Sequence, residues 1–163
     1  MSVTVIGIDP GLGGAVAFLR DGGIDVWDTP VLTVAKGKSV RHEYNLAEMV
    51  ALLRKIMPAY KHSLVAALER THSMPGQGVR SMFTMGEGYG AWKGILTALG
   101  ISFDLIAPER WKRVMMDGQG KDKDAARLRA IQLFPGLAGE LARKKDHGRA
   151  EALLLAEYRR RLG

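Results

Sequence analysis

Four acidic side chains and one histidine sit where a folded chain could use them together. Asp9 ends a short apolar run, Val3-Thr4-Val5-Ile6-Gly7-Ile8, and is followed by Pro10-Gly11. Glu69 closes a second run, Leu64-Val65-Ala66-Ala67-Leu68. Asp146, His147 and Glu151 open the segment DHGRAEALLLAEYRRR. Oxygen ligands of this kind suit Mg²⁺ or Mn²⁺, and two such ions can clamp the attacking water and the leaving oxygen of an in-line phosphodiester displacement. Each acid also has a plain reading: Asp9 as a turn residue, Glu69 as a strand terminus, Asp146 as a helix cap and Glu151 as an acid favoured by a helix N-terminus. Those readings leave unexplained why all of them occur in one small basic chain.

The elements that must position these groups follow from periodicity and turn chemistry. Apolar runs at 3–8, 15–19 and 24–27, separated by Pro-Gly, Gly-Gly and Asp-Gly-Gly signals, predict three strands joined by turns so short that they must be antiparallel. Residues 33–43 are polar and contain glycine, and read as a surface loop. Leu46, Met49, Val50, Leu53, Ile56 and Met57 then recur at helical spacing, with Asn45 as N-cap and Pro58 as the stop. A buried strand over 63–68 is followed by a loop, 71–80, a helix over 81–99 and a fifth strand over 101–106. Helical segments are expected at 109–116, 123–134 and 146–161, with connectors at 117–121 and 136–145. The order βββαβαβ followed by helices predicts a single α/β domain over residues 1–163, with a mixed five-stranded sheet, three strands antiparallel and the rest parallel, flanked by helices. Asp9 and Glu69, if on neighbouring strands, then project at one edge of the sheet, where open α/β sheets place their sites. On the last helix His147 and Glu151 share a face. Asp146 lies about 140° round from Glu151 and joins them only as a cap or through a distorted first turn.

Composition supports a polyanion partner. The 163 residues carry 24 Lys and Arg against 17 Asp and Glu, a net charge of +7. Through residue 108 there are 10 basic and 9 acidic residues, and from Glu109 onward 14 and 8. A basic half of this kind favours nucleic acid, unless its arginines are spent on ion pairs within the protein. The absence of cysteine excludes disulfides, thiolate metal sites and cysteine nucleophiles. No apolar run reaches the roughly 18–20 residues of a membrane span, and the N-terminus lacks the basic region of a signal peptide, so the expected location is cytoplasmic, in a bacterial or phage-infected cell. There is no GxxxxGK[ST] loop, and Gly11, Gly13 and Gly14 are too weak a pattern for a nucleotide site.

Gly-Ile-Asp-Pro-Gly around Asp9, Leu68-Glu69 at a strand end and the DHGRAEALLLA helix, in this order, resemble the RuvC-like Holliday junction resolvases. The MPGQG loop and the SMFTMGEGYGAWKGIL helix resemble phage or prophage members. The resemblance covers nearly the whole chain. It implies a ribonuclease H-like fold, a homodimer, Mg²⁺ (with Mn²⁺ able to substitute), two ions to each active site, and paired nicking of opposed strands at a four-way DNA junction. It leaves open whether a helicase partner exists.

Matched to the family's motifs, Asp9 is the first-strand metal ligand and Glu69 the second catalytic acid. Glu151 takes the place of an aspartate, one methylene longer. The family's remaining ligand, an Asp or His one turn earlier, falls on Gly148 here, so Asp146 or His147 must serve. Asp146 is favoured by the chemistry of Mg²⁺, and His147 by helical face. Where the family carries an aromatic wedge this chain has His72, with Met74 as another candidate for opening the junction. The resemblance also implies a lysine near the scissile phosphate, assigned to Lys121 with Lys123 beside it, where it would stabilise transition-state charge. Arg80, Arg113, Arg143, Lys144 and Lys145 are candidate phosphate contacts, whereas Arg159-Arg160-Arg161 better suit a helix C-terminus. Gly86, Gly90, Gly94 and Ala98 form a smooth strip on one helix, which is the dimer contact in the family and otherwise packs on the protein's own sheet. Two other readings stand beside the resolvase: a junction-binding protein with little catalysis, and a ribonuclease H-like nuclease acting on hybrid or other branched substrates.

Overall fold

A computed structural model describes residues 3–60 and 63–163; Met1 and Ser2, part of the stretch read above for a leader, lie outside them. The main sheet has five strands in the order β3-β2-β1-β6-β7. β1 (Thr4–Asp9), β2 (Ala15–Arg20) and β3 (Gly23–Asp28) form an antiparallel meander, and β6 (Leu64–Glu69) and β7 (Ser102–Ile106) continue it in parallel. This is the mixed five-stranded sheet the turn lengths require.

Helices cover both faces. α1 (Leu46–Ile56) and α2 (Val79–Ala98) pack on one, against Ile6, Ile8, Val16, Phe18, Ala66 and Leu68. The Asn45 side chain accepts a bond from Glu48 N at 3.2 Å, capping α1 as expected. α3 (Pro108–Met115), α4 (Ala125–Leu133) and α5 (His147–Arg161) occupy the other face, against Val5, Ala15, Ala17, Leu19 and Ala67. The central helix of that layer is α5, in which Ala150 and the whole run Ala152–Tyr158 are buried. A helix apolar on all sides belongs in a core, and each fully buried leucine of Leu153-Leu154-Leu155 stabilises by about 2 kcal/mol. The position of Glu151 is therefore set by its neighbours.

The structure departs from the sequence reading at residues 33–43. In place of a loop there is a hairpin, β4 (Val31–Lys36) paired with β5 (Ser39–Tyr44), forming a separate two-stranded sheet. Both of its faces meet solvent over most of its length, so its sequence lacks the apolar alternation that marks a half-buried strand. The connector before α5 is also more ordered than expected, with short 3₁₀ turns at Pro135–Leu137, Gly139–Leu141 and Lys144–Asp146. No helix among the described residues is long and apolar enough to cross a membrane.

Candidate active site

β1 and β6 run parallel with Ile8 opposite Leu68, which brings Asp9 and Glu69 side by side at the same sheet edge. Glu151, on the first turns of α5, lies close enough for its charge to act on both. Burial, reinforced by the charge of Glu151, pushes the Asp9 carboxyl up to about 7. Burial, with Asp9 and Glu151 beside it, does the same to Glu69. Like charges crowded in a partly dry site hold their protons unless a cation is supplied.

α3 supplies one from the protein itself. Lys112 Nζ lies 3.0 Å from Glu151 Oε1. Burial alone would lower the pKa of Lys112, but Glu151, Glu69 and Asp9 together raise it on balance. The preceding residue, Trp111, is fully buried and donates from Nε1 to Glu69 Oε2 at 2.7 Å. Neither residue was singled out from the sequence. The available signal was the Trp111/Met115 pair: two large apolar side chains four apart, both buried, which fix the helix and hence the direction of Lys112.

The remaining sequence candidates separate. His147 Nε2 stands 3.9 Å from Glu151 Oε2 with its side chain half exposed, as the four-residue spacing predicts. Asp146 does not join the acids. It is 2% exposed and turned onto Arg143, accepting from the Arg143 backbone N at 2.8 Å and from its guanidinium at 2.7 Å. That guanidinium holds the Asp146 carboxyl below its ordinary range. Asp146 stands at the N-cap position of α5 but makes no side-chain bond to that helix. The cap role read from the sequence gives way to a bond back onto Arg143 within the 3₁₀ turn, and of the two residues His147 is the one beside Glu151. The family's offset position, Gly148, is closed to any side chain: a Cβ there would meet Gly13 O at 2.2 Å, because the β1–β2 turn packs directly on the first turn of α5.

Lys121 and Lys123 line one pocket with Lys112, His147 and Glu151, so the basic connector borders the Glu151 side of the site. His72 and Met74 are exposed on the loop before α2, and Arg80 is exposed on its first turn. Arg113 is exposed on α3, and Lys144 and Lys145 on the turn leading into α5. Much of the arginine excess is internal. Arg149 bridges Asp28 and Glu140, Arg159 pairs with Asp104, and Arg160 and Arg161 both pair with Glu157. The glycine strip is open: a Cβ on Gly86, Gly90 or Gly94 would meet nothing within 4 Å. Packing on the protein's own sheet is carried instead by Gly88, Trp92 and Leu96.

Among solved structures the chain superposes on Thermus thermophilus RuvC in complex with a Holliday junction substrate, with a TM-score of 0.55 and 14% identity over 99% of this chain and 96% of that one. Another Thermus thermophilus RuvC structure gives 0.52 at 17% identity, covering 99% and 97%. The yeast mitochondrial Holliday junction resolvase Ydc2 gives 0.57 at 17%, covering 98% and 78%. The chain has the RuvC fold. Within that fold its main sheet order and the placement of Asp9, Glu69 and Glu151 at one edge are as described above. In sequence, 148 residues are 32% identical to the chloroplastic Holliday junction resolvase MOC1 of Chlamydomonas reinhardtii, covering 82% of this chain and 17% of that protein. The chain thus spans about a sixth of the length of this curated relative. No family model matches.

Among the described residues, no three His, Asp or Glu side chains stand close enough together to enclose a metal. Three carboxylates from three elements, two of them raised to about 7 by burial and by the acids around them, nevertheless fit a hard cation in kind and in unmet charge.

Proposed function

We propose that this chain is a divalent-metal-dependent endonuclease that resolves four-way DNA junctions, acting as a homodimer through one nuclease domain over residues 1–163. The observation that carries the reading is the placement of Asp9 and Glu69 on adjacent parallel strand ends with Glu151 acting on both, the Lys121–Lys123 connector lining the pocket on the Glu151 side. Support comes from the resolvase relative at 32% identity and from the RuvC fold.

Asp9, Glu69 and Glu151, with His147 at the rim, would hold Mg²⁺ or Mn²⁺, and two ions per site match the phosphodiester chemistry best. Bound there, the metal lowers the pKa of water and offsets charge on the phosphate. Glu69 is oriented by Trp111. Lys112 neutralises Glu151 and stands ready to meet charge developing on the leaving oxygen. Lys121 and Lys123 hold the phosphate backbone that the acids alone would repel, with Lys144, Lys145 and Arg113 as outlying contacts. His72, Met74 and Arg80, exposed around the start of α2, face the branch point. The open glycine strip of α2, near exposed Phe83 and Val79, is the surface for the second copy.

One arrangement favours the reading without catalysis: Lys112 already pairs with Glu151, and among the described residues no three ligands stand close enough to enclose an ion. The two are separated by incubating the protein with a labelled four-way junction and a matched linear duplex in Mg²⁺, Mn²⁺ or EDTA. Metal-dependent paired nicks on the junction alone are expected. Tight junction binding with no nick in either metal would leave a binding protein.

A further inference from the structure

The β4–β5 hairpin takes no part in the site, yet it springs from the same edge of the molecule. At its root Thr29 N donates to Gly14 O at 3.0 Å, and Asn45 N donates to Pro30 O at 3.0 Å. Tyr44, at the end of β5, is buried and donates its hydroxyl to Thr84 O at 3.1 Å. Gly88 leaves the space for that ring, since a Cβ would lie 2.3 Å from it. Leu12, in the turn that follows Asp9, lines the pockets on both sides of this root.

Beyond the root the ribbon is exposed along nearly all of both strands. A two-stranded hairpin alone is marginal in water, and this one exposes Leu32, Thr33, Ala35, Val40 and His42. Its six-residue strands reach about 20 Å from the body. The tip is a two-residue turn with Gly37 at φ +59°, the sign that a type II′ turn demands at its first position. Lys36 and Lys38 flank that glycine, both exposed and, among the described residues, in no ion pair. Arg41 is held by Glu43.

We infer that the β4–β5 ribbon is a second DNA-binding element that grips a duplex arm of the substrate away from the cleavage point, with Lys36 and Lys38 on its phosphates. The inference rests on the nuclease reading above. A two-stranded ribbon has the cross-section of a major groove, and about 20 Å spans roughly six base pairs at about 3.4 Å each. Lysines on an exposed strand pair also discourage edge-to-edge aggregation, and the experiment distinguishes that role.

The full-length protein and its Lys36→Ala/Lys38→Ala variant are titrated in EDTA against a fluorescent four-way junction with long arms, from 50 to 200 mM salt. A second junction has arms trimmed to about five base pairs. For the long arms the variant is expected to bind about tenfold more weakly at 100 mM, with a slope of log K against log salt smaller by about 2, near 0.9 per lost contact. On the trimmed junction the two proteins should bind alike, and their thermal unfolding should coincide. Equal affinities and slopes on the long-armed junction would overturn the inference, as would an equal loss on both junctions. Failure of the nuclease reading is seen separately, as wild-type protein that does not distinguish junction from linear duplex.

Discussion

The ammonium of Lys112 stands 3.0 Å from the carboxylate of Glu151, at the point where two strand ends and a buried helix bring three acids together. A lysine so placed compensates the acids from within the fold and, on the nuclease reading, would be a cationic donor to the phosphate. Replacing Lys112 with methionine keeps the aliphatic stem and removes the charge. Nicking should fall by about 10²-fold, the scale of a lost transition-state donor, with junction affinity little changed. Unchanged nicking by Lys112→Met would assign the lysine to charge balance alone.

Asp9 and Glu69 make the metal-free protein sensitive to pH. Both carboxyls bind protons more tightly in the folded state, with pKa about 7, than in an unfolded chain, where carboxyls titrate near 4. Their contribution to stability is present in full below about pH 4 and is lost as pH rises through 7. In EDTA the melting temperature should therefore fall between pH 5 and 8 by more in wild type than in Asp9→Asn, and Mg²⁺ at pH 8 should restore it. Parallel pH profiles for the two proteins would show that folding does not raise the Asp9 carboxyl.

Asp146 and His147, adjacent in sequence, are expected to fail in different ways. Asp146→Ala removes the buried carboxylate that Arg143 donates into, at about 1–2 kcal/mol, and should lower the melting temperature by about 3–6 °C without abolishing nicking. His147→Ala should leave stability unchanged and alter the metal concentration needed for half-maximal nicking. The reverse pattern would return the ligand role to Asp146.

These assignments mark what was legible in the sequence. The meander, the parallel extension and the strand-end acids could be read because short turns and buried apolar runs constrain them strongly. The hairpin could not, since a ribbon solvated on both faces has no alternation to detect. Lys112 looked like any charge on a solvated helix, and only the burial of Trp111 and Met115 beside it sets its direction. Asp146 was drawn to the site by carboxylate chemistry. Arg143, three positions earlier, takes it through a local 3₁₀ turn that the sequence did not mark, and the closed position at Gly148 is set by tertiary packing on Gly13.

The glycines of α2 divide into two classes with opposite expected behaviour. Gly88→Ala forces a Cβ into Tyr44 and the Pro10 carbonyl and should destabilise. Gly90→Leu meets open space within the chain, so the fold should survive while light scattering shows the proposed dimer reduced to monomer. A dimer unaffected by Gly90→Leu would place the second copy elsewhere.

The most direct test replaces the three converging acids in turn. Asp9→Asn, Glu69→Gln and Glu151→Gln are each assayed on a four-way junction for binding in EDTA and for nicking in Mg²⁺ and Mn²⁺. Each variant should bind the junction at least as well as wild type, because negative charge facing DNA has been removed, and each should lose nicking in both metals. Wild-type nicking by any one of them would contradict the claim that these carboxylates form the catalytic centre.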